Sequence, residues 1–198
     1  SELDTTTLTF KHSEKDIKLL EEELAKLKDP FNNEGISEVD TQKIKQIQSE
    51  IDEKLKSSYS NLNEWQKTQI ARHEERPKAK FFIENLFTDF INLSGDRRFA
   101  EDQSVLAGFA LFEGKSVLVI GQEKGQDLES RLKRNFGMMR PEGYRKCIRL
   151  MNLADKFNIP VISFIDTPWA YPGIGAEQRG QAEAIASSIE CCMKLKVP

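Results

Sequence analysis

Asn158-Ile159-Pro160-Val161-Ile162-Ser163-Phe164-Ile165 runs directly into Asp166-Thr167-Pro168-Trp169-Ala170-Tyr171-Pro172-Gly173-Ile174-Gly175. The first half is an apolar run of strand length introduced by a proline, and its composition predicts a strand buried on both faces. The second half is a loop. Ala176 to Leu195 then reads as one helix, lined by Gly180, Ala184, Ser188 and Cys191 or Cys192, residues small enough for close backbone approach. Upstream, Glu142 to Asn158 places Tyr144, Cys147, Ile148, Met151, Ala154 and Phe157 on one helical face. Val105 to Phe112 and Lys115 to Ile120 read as two strands joined by a tight turn at Glu113-Gly114. A hairpin followed by helix, strand and helix predicts an α/β domain with a right-handed crossover. Lys196-Val197-Pro198 resembles the Asn158-Ile159-Pro160 lead-in, so the expectation is that the chain stops where another strand begins.

The N-terminal part has a different texture. Ile17, Leu20, Leu24 and Leu27 recur at helical spacing within residues 13 to 28, and Ile44, Ile47, Ile51 and Leu55 resume the pattern after a break at Lys28 to Asp40. Asp40 is the expected N-cap of the second helix. The two form an antiparallel hairpin whose apolar stripe suits packing or oligomerisation. Aromatic content rises from Asn63 onward, which places a domain boundary near residue 62: residues 1–62 are the helical hairpin and residues 63–198 the α/β domain.

Composition narrows the function classes. Among 198 residues, 29 Lys and Arg face 32 Asp and Glu, a net charge of -3 that supplies no global field for nucleic acid or anionic lipid. Cys147, Cys191 and Cys192 form no CxxC pair and fall in predicted helices, so neither a disulfide framework nor a zinc site is indicated. No apolar run reaches the roughly 20 residues that span a bilayer. Ser1 opens a polar segment without a signal-peptide core, and a cytoplasmic protein is expected.

Three segments could carry chemistry. In Asp166 to Gly175 the glycines let backbone amides near residues 173 to 176 face an anion, at the strand end where ligands of parallel sheets bind. A loop that merely joins strand to helix is the alternative. Gly121-Gln122-Glu123-Lys124-Gly125 also follows a strand and suits close approach of a phosphate or carboxylate, although the GxxxxGK[ST] spacing is absent and an ordinary turn is the favoured reading. Positions 131 to 149 hold seven Lys or Arg against Glu142 alone. There Phe136 and Tyr144 could stack on a base while guanidiniums hold phosphates, the alternative being a solvated helix face. No Ser/His/Asp arrangement is present. His12 lies in a polar segment, and His73 sits in Arg72-His73-Glu74-Glu75-Arg76, where a surface or interface role is expected.

Ala71-Arg72-His73, Gly95-Asp96-Arg97, Arg134-Asn135-Phe136-Gly137-Met138, Pro141-Glu142-Gly143-Tyr144-Arg145-Lys146 and Gly175-Ala176-Glu177-Gln178-Arg179-Gly180-Gln181 occur in this order. Together they resemble the α subunits of bacterial acetyl-CoA carboxylase carboxyltransferase. The resemblance implies a crotonase/ClpP-like ββα spiral, here incomplete, and an α2β2 assembly with a zinc-bearing β subunit. It implies an ATP-dependent complex of fatty acid biosynthesis, with biotin carboxylase and biotin carboxyl carrier protein as further partners. Carboxybiotin on the carrier would give its carboxyl group to acetyl-CoA, through oxyanions that paired amides stabilise. Gly173 and Ile174 are the amide donors so implied. Gly121, Lys124, Gly125, Arg134, Asn135, Phe136, Gly137, Arg145, Ala170, Tyr171 and Gly175 are the expected substrate-binding residues, with no metal in this chain.

Two departures stand out. Trp169 replaces a glycine of the family pattern, and in a type II turn after Pro168 it would need positive φ, at a cost of about 1 to 3 kcal/mol. The family's principal glycine-rich oxyanion turn would follow Pro198, so this polypeptide alone is expected to be inactive. Another crotonase-like acyl-CoA enzyme, or an interaction module with Trp169 occluding the site, are the competing readings.

Overall fold

A computed structural model describes residues 2–29 and 41–198. The chain forms two compact units, Ser1–Arg76 and Pro77–Pro198.

The first unit is helical. α1 (Glu2–Lys28) and α2 (Thr41–Ser60) bury Ile17 and Leu24 against Ile47 and Ile51, flanked by Leu20, Leu27, Ile44 and Leu55, as the spacing predicts. The expected cap at Asp40 lies outside the described residues. α3 (Glu64–Ala71) starts at a reciprocal capping box, in which the Gln66 N–H donates to Asn63 Oδ1 and the Asn63 N–H to Gln66 Oε1, both at 2.9 Å. Trp65 and His73 are exposed.

The second unit begins with α4 (Ala79–Leu86) and β1 (Thr88–Asn92). β2 (Val105–Phe112) and β3 (Lys115–Gln122) pair antiparallel in register from Val105↔Gln122 to Phe112↔Lys115, the hairpin expected. Glu113 and Gly114 both take positive φ, which matches the strands' twist. α5 (Leu128–Lys133), α6 (Pro141–Lys156), β4 (Val161–Phe164), α7 (Ile174–Gln178) and α8 (Gln181–Lys194) complete the unit. The sheet order is β1-β2-β3-β4, with β1, β2 and β3 antiparallel and β4 parallel to β3.

Alternation along the strands sends side chains to two cores. Val105, Ala107 and Leu118 meet Cys147, Leu150, Met151 and Ala154 of α6 and Cys191 of α8. On the opposite face Ala110, Val117 and Val119 meet Ile83 and Phe87. The sheet is therefore covered on both sides.

Four features differ from expectation. β4 is only half-buried and exposes Ser163 and Ile165, because it pairs with β3 on one side and has just the Pro198 carbonyl, accepting from the Val161 N–H at 2.9 Å, on the other. The helix expected from Ala176 to Leu195 breaks at Gly180, whose φ of 77° is left-handed, so α7 and α8 are separate. Phe157 caps α6 and is 61% exposed, whereas the unpredicted Leu150 is fully buried. β1 was not foreseen.

Gly143 in α6 sits against Asp102. A Cβ there would lie 2.5 Å from Asp102 Oδ2, and this carboxylate cannot retreat: Oδ1 accepts from Ser104 N and Oγ, and Oδ2 from the Arg140 N–H at 2.7 Å. Gly to Ala in a helix ordinarily stabilises by ~1 kcal/mol. Gly143→Ala is expected instead to destabilise by about 1 to 3 kcal/mol, seen as a lower urea midpoint at unchanged slope.

The thiols differ as sharply. Burial pushes Cys147 up to about 12, while Cys192 is exposed. Iodoacetamide at neutral pH should alkylate Cys192 in the native chain and reach Cys147 only in denaturant. Peptide mapping that finds native Cys147 modified would contradict this packing.

Candidate functional site

Three loops converge beyond the C-terminal ends of β3 and β4. Lys124, just after β3, pairs with Asp166, just after β4, at 2.5 Å. The Asp166 N–H donates to Gln122 Oε1 at 3.0 Å, and the Thr167 hydroxyl to the Gly137 carbonyl at 2.7 Å. Tyr171 donates its N–H to the Met139 carbonyl at 2.9 Å, and the Arg140 guanidinium lies 4.4 Å from the Tyr171 ring centroid. The segments 122–125, 135–140 and 166–175 thus form one surface, although nine residues separate the first two in sequence and 25 the last two.

Asn135, Phe136 and Gly137 take φ of 47°, 56° and 82°, a left-handed turn. Two non-glycine residues there cost about 1 to 2 kcal/mol each. The turn is held by Gly137 N–H to Arg134 O and Met138 N–H to Asn135 O, both 2.9 Å, and by Arg140 donating to Asn135 Oδ1 at 3.0 Å. At Gly137 a Cβ would also meet Lys124 Cγ at 2.6 Å. Strain held this firmly is characteristic of binding loops.

Gly173 caps α7. Its carbonyl accepts from the Ala176 and Glu177 N–H groups, and among the described residues no acceptor meets the N–H of Gly173 or Ile174. Ile174 is 78% exposed and Gly173 is half-buried. A Cβ on Gly173 would fall 2.2 Å from Tyr171 Cε1, so the loop closes on its own aromatic ring only because residue 173 is glycine. Trp169 is 61% exposed and is absent from the positive-φ residues, so the turn strain considered from sequence does not arise. Ala170 and Gly175 are half-buried in the same loop.

The other expected residues scatter. Gly121 lies within β3, where a Cβ would meet Ala79 Cβ at 2.8 Å, so it seats α4 on the sheet. Gly125 turns with φ 83° and donates its N–H to the buried Glu123 Oε1 at 3.0 Å. Arg134 donates to the Gln103 carbonyl at 2.7 Å. Phe136 is exposed beside the loops, but Tyr144 packs against the α6 core, where burial and then the Asp102 charge raise its hydroxyl pKa, so the two do not make a stacking pair. The basic run is no single patch: Lys146 is buried, Arg149 bonds the carbonyls of residues 93–95, and Arg145 bonds the Arg179 carbonyl and Glu183.

Sequence reasoning missed the residues that tie the loops together. The Gln181 amide donates to the Met139 and Tyr171 carbonyls at 2.8 and 3.0 Å, and its buried Oε1 has no partner. Arg179 pairs with the buried Glu142 and stacks over Phe99 at 4.4 Å. In the sequence Gln181, Arg179 and Glu142 stood out only as members of the motifs that carry the resemblance. Among the described residues no group of three or more His, Cys, Asp or Glu is arranged to hold a metal, and no helix is long and apolar enough to cross a membrane.

The four-stranded mixed sheet, covered by helices on both faces, has the crotonase-like fold of solved carboxyltransferases. Transcarboxylase 12S, solved with methylmalonyl-coenzyme A and methylmalonic acid bound, superposes with a TM-score of 0.52 at 19% identity, over 64% of this chain and 23% of that one. A single-chain, multi-domain long-chain acyl-CoA carboxylase gives 0.51 at 21% identity, over 66% and 13%. The chain belongs to the acetyl co-enzyme A carboxylase carboxyltransferase-like family, whose profile matches residues 10–198. It is 74% identical over 185 residues to the acetyl-coenzyme A carboxylase carboxyl transferase subunit alpha of Pelagibacter ubique (strain HTCC1062), covering 93% of this chain and 50% of the relative. The Agrobacterium fabrum (strain C58 / ATCC 33970) subunit alpha is 53% identical over 176 residues, 89% and 54%. The chain spans about half the length of the curated relatives it matches.

Asp96 orders the loop before β2. Burial would raise its pKa, but the Phe99, Arg98 and Ala100 amides on Oδ1 hold it below the usual 3.8. The unfolded chain thus binds the proton more readily, so this stabilisation is present above pH 3.8 and fades as pH falls through the lowered value. Asp96→Asn should lower the melting temperature at neutral pH, with a deficit that shrinks below the ordinary carboxylate range. A deficit independent of pH would assign its effect to packing alone.

Proposed function

We propose that this chain forms the biotin-facing part of an acetyl-CoA carboxylase carboxyltransferase α subunit. Residues 1–62 serve packing or oligomerisation, and residues 63–198 form the N-terminal part of the transferase domain. Biotin, carried on the carboxyl carrier protein, supplies the carboxyl group that acetyl-CoA receives as malonyl-CoA. The partners so implied are a β subunit in an α2β2 complex, the carrier protein and biotin carboxylase.

The supporting observation is the pair of unpartnered amides at Gly173 and Ile174. They can donate to an oxygen that gains negative charge, and being fixed they need no reorganisation as the charge develops. The loops suit a planar ureido ring: Ala170, Tyr171 and Gly175 border the amides, while Lys124, Gly125, Asn135, Phe136 and Gly137 form the neighbouring wall. Lys124, held by Asp166, places an ammonium at the edge of this surface. Gly121, Arg134 and Arg145 act from behind this surface by seating α4, the left-handed turn and the α7–α8 junction. Trp169, turned to solvent, leaves the loop free to accept the group.

The test uses a complete α subunit carrying this segment, assembled with β subunit and carrier protein, with malonyl-CoA formation as readout. Gly173→Ala keeps its N–H, but its Cβ would collide with the Tyr171 ring and displace the amides, and should lower kcat about 10²-fold, the usual loss for one oxyanion donor, whereas Trp169→Gly should leave it within a few-fold of the parent. Full activity in Gly173→Ala would remove these amides from the reaction. Carboxyl exchange that proceeds without biotin would place the chain with other crotonase-like acyl-CoA enzymes.

A further inference from the structure

A cavity of about 360 Å³ opens between the loop 95–98 and the outer faces of α6 and α8. Its walls carry four guanidiniums, Arg97, Arg98, Arg145 and Arg149, against two carboxylates, Asp96 and Glu183, which leaves an excess of two positive charges. Asn152 and Ser187 add neutral polar groups, and Ile148 an apolar one. In a chain of net charge -3 this is a local reversal of sign.

The cavity is built in advance of any ligand. Arg149 is fixed by donating to the Gly95, Ser94 and Leu93 carbonyls, at 2.8 Å for the closest. Burial and then the neighbouring Arg97 charge pull its pKa below the ordinary arginine value, against the opposing charges of Glu101 and Asp96. Asp96 Oδ1 accepts the amides of Arg98, Phe99 and Ala100 and so sets the course of the loop. Arg97 is held at φ 62°, a conformation that L side chains rarely adopt, and its exposed guanidinium, like that of Arg98, has no hydrogen-bond partner among the described residues. Arg145 bonds the Arg179 carbonyl at 2.7 Å and Glu183 at 3.1 Å, while its buried Nε has no partner. Two anchored and two unengaged guanidiniums around one cavity suit tetrahedral oxyanions, whose several acceptors match forked N–H donors.

We infer that this cavity is a binding site for a phosphate-class anion, separate from the amides at Gly173 and Ile174, in which Arg97 and Arg98 close over a ligand seated on Arg145 and Arg149. Glu183 opposes it, because its carboxylate occupies one of the Arg145 donors that the anion would use.

Calorimetric titration of the chain with inorganic pyrophosphate tests this. One saturable site is expected, weakening as chloride rises. Arg97→Ala/Arg98→Ala should lose at least roughly tenfold in affinity, ~1.4 kcal/mol. Glu183→Gln should bind several-fold tighter, a gain that a purely structural role would not produce. Lys133→Ala, in the exposed i,i+4 pair with Glu129, should bind as the parent does. Neither arginine side chain carries a hydrogen bond among the described residues, the Arg98 N–H to Asp96 is kept in alanine, and unchanged melting curves would confirm intact variants. A parallel titration with ADP identifies the source: tighter binding than pyrophosphate assigns a nucleotide, equal binding the phosphate group alone, and either upholds the site. Absence of saturable pyrophosphate binding, or equal affinity in the double arginine variant, overturns it.

Discussion

The second unit depends on one buried ammonium. Lys146 is 1% exposed, and its Nζ pairs with Glu101 and donates to the Asp102 and Val105 carbonyls at 3.0 and 2.7 Å. A charge taken from water is tolerated only when fully paired, and removing one partner of such a pair costs about 3 to 5 kcal/mol. This fixes α6 at one register over the start of β2. The adjacent Asp102 carboxylate accepts the Arg140 N–H at the head of the same helix, where negative charge also favours the helix dipole. Ammonium and carboxylate therefore pin α6 from two directions, and Gly143 exists to let them approach.

With α6 fixed, the loop before it has no freedom to relax. Residues 135–137 must reverse the chain between α5 and Arg140 in three steps, and they do so left-handed. The Met139 carbonyl then becomes the reference point for the rest of the site, because it receives both the Tyr171 N–H and the Gln181 amide. The loop 166–175 is positioned against a helix start rather than by its own sequence. Backbone amides can be held this way without any titrating side chain.

What was legible in the sequence was whatever local chemistry dictates. Glu113-Gly114 announced the hairpin because a two-residue turn needs positive φ, and the apolar spacing of α1, α2 and α6 announced their buried faces. β1 escaped notice because only Phe90 of Thr88–Asn92 is even half-buried, so no alternation marks it. The break at Gly180 escaped because its cause is tertiary: Arg179 is drawn to Glu142 while its carbonyl takes the Arg145 guanidinium. The basic run at 131–149 misled for a related reason. A turn and a helix start fall inside it, so neighbours in sequence point into the core, the loops and the cavity by turns. Contacts such as Lys124 with Asp166 join residues 42 positions apart and leave no local trace.

Arg145 links the two candidate sites physically. Its guanidinium lines the arginine cavity, and the same group holds the Arg179 carbonyl at the junction of α7 and α8. One residue beyond that junction Gln181 grips Met139 and Tyr171, the carbonyls that set the loop bearing Gly173 and Ile174. A close-packed interior transmits small displacements instead of absorbing them. Any shift of Arg145 must therefore move the α7–α8 junction or break its hydrogen bond to Arg179. The same helix that shields the sheet thus gives the charged cavity and the neutral amides a common mechanical reference.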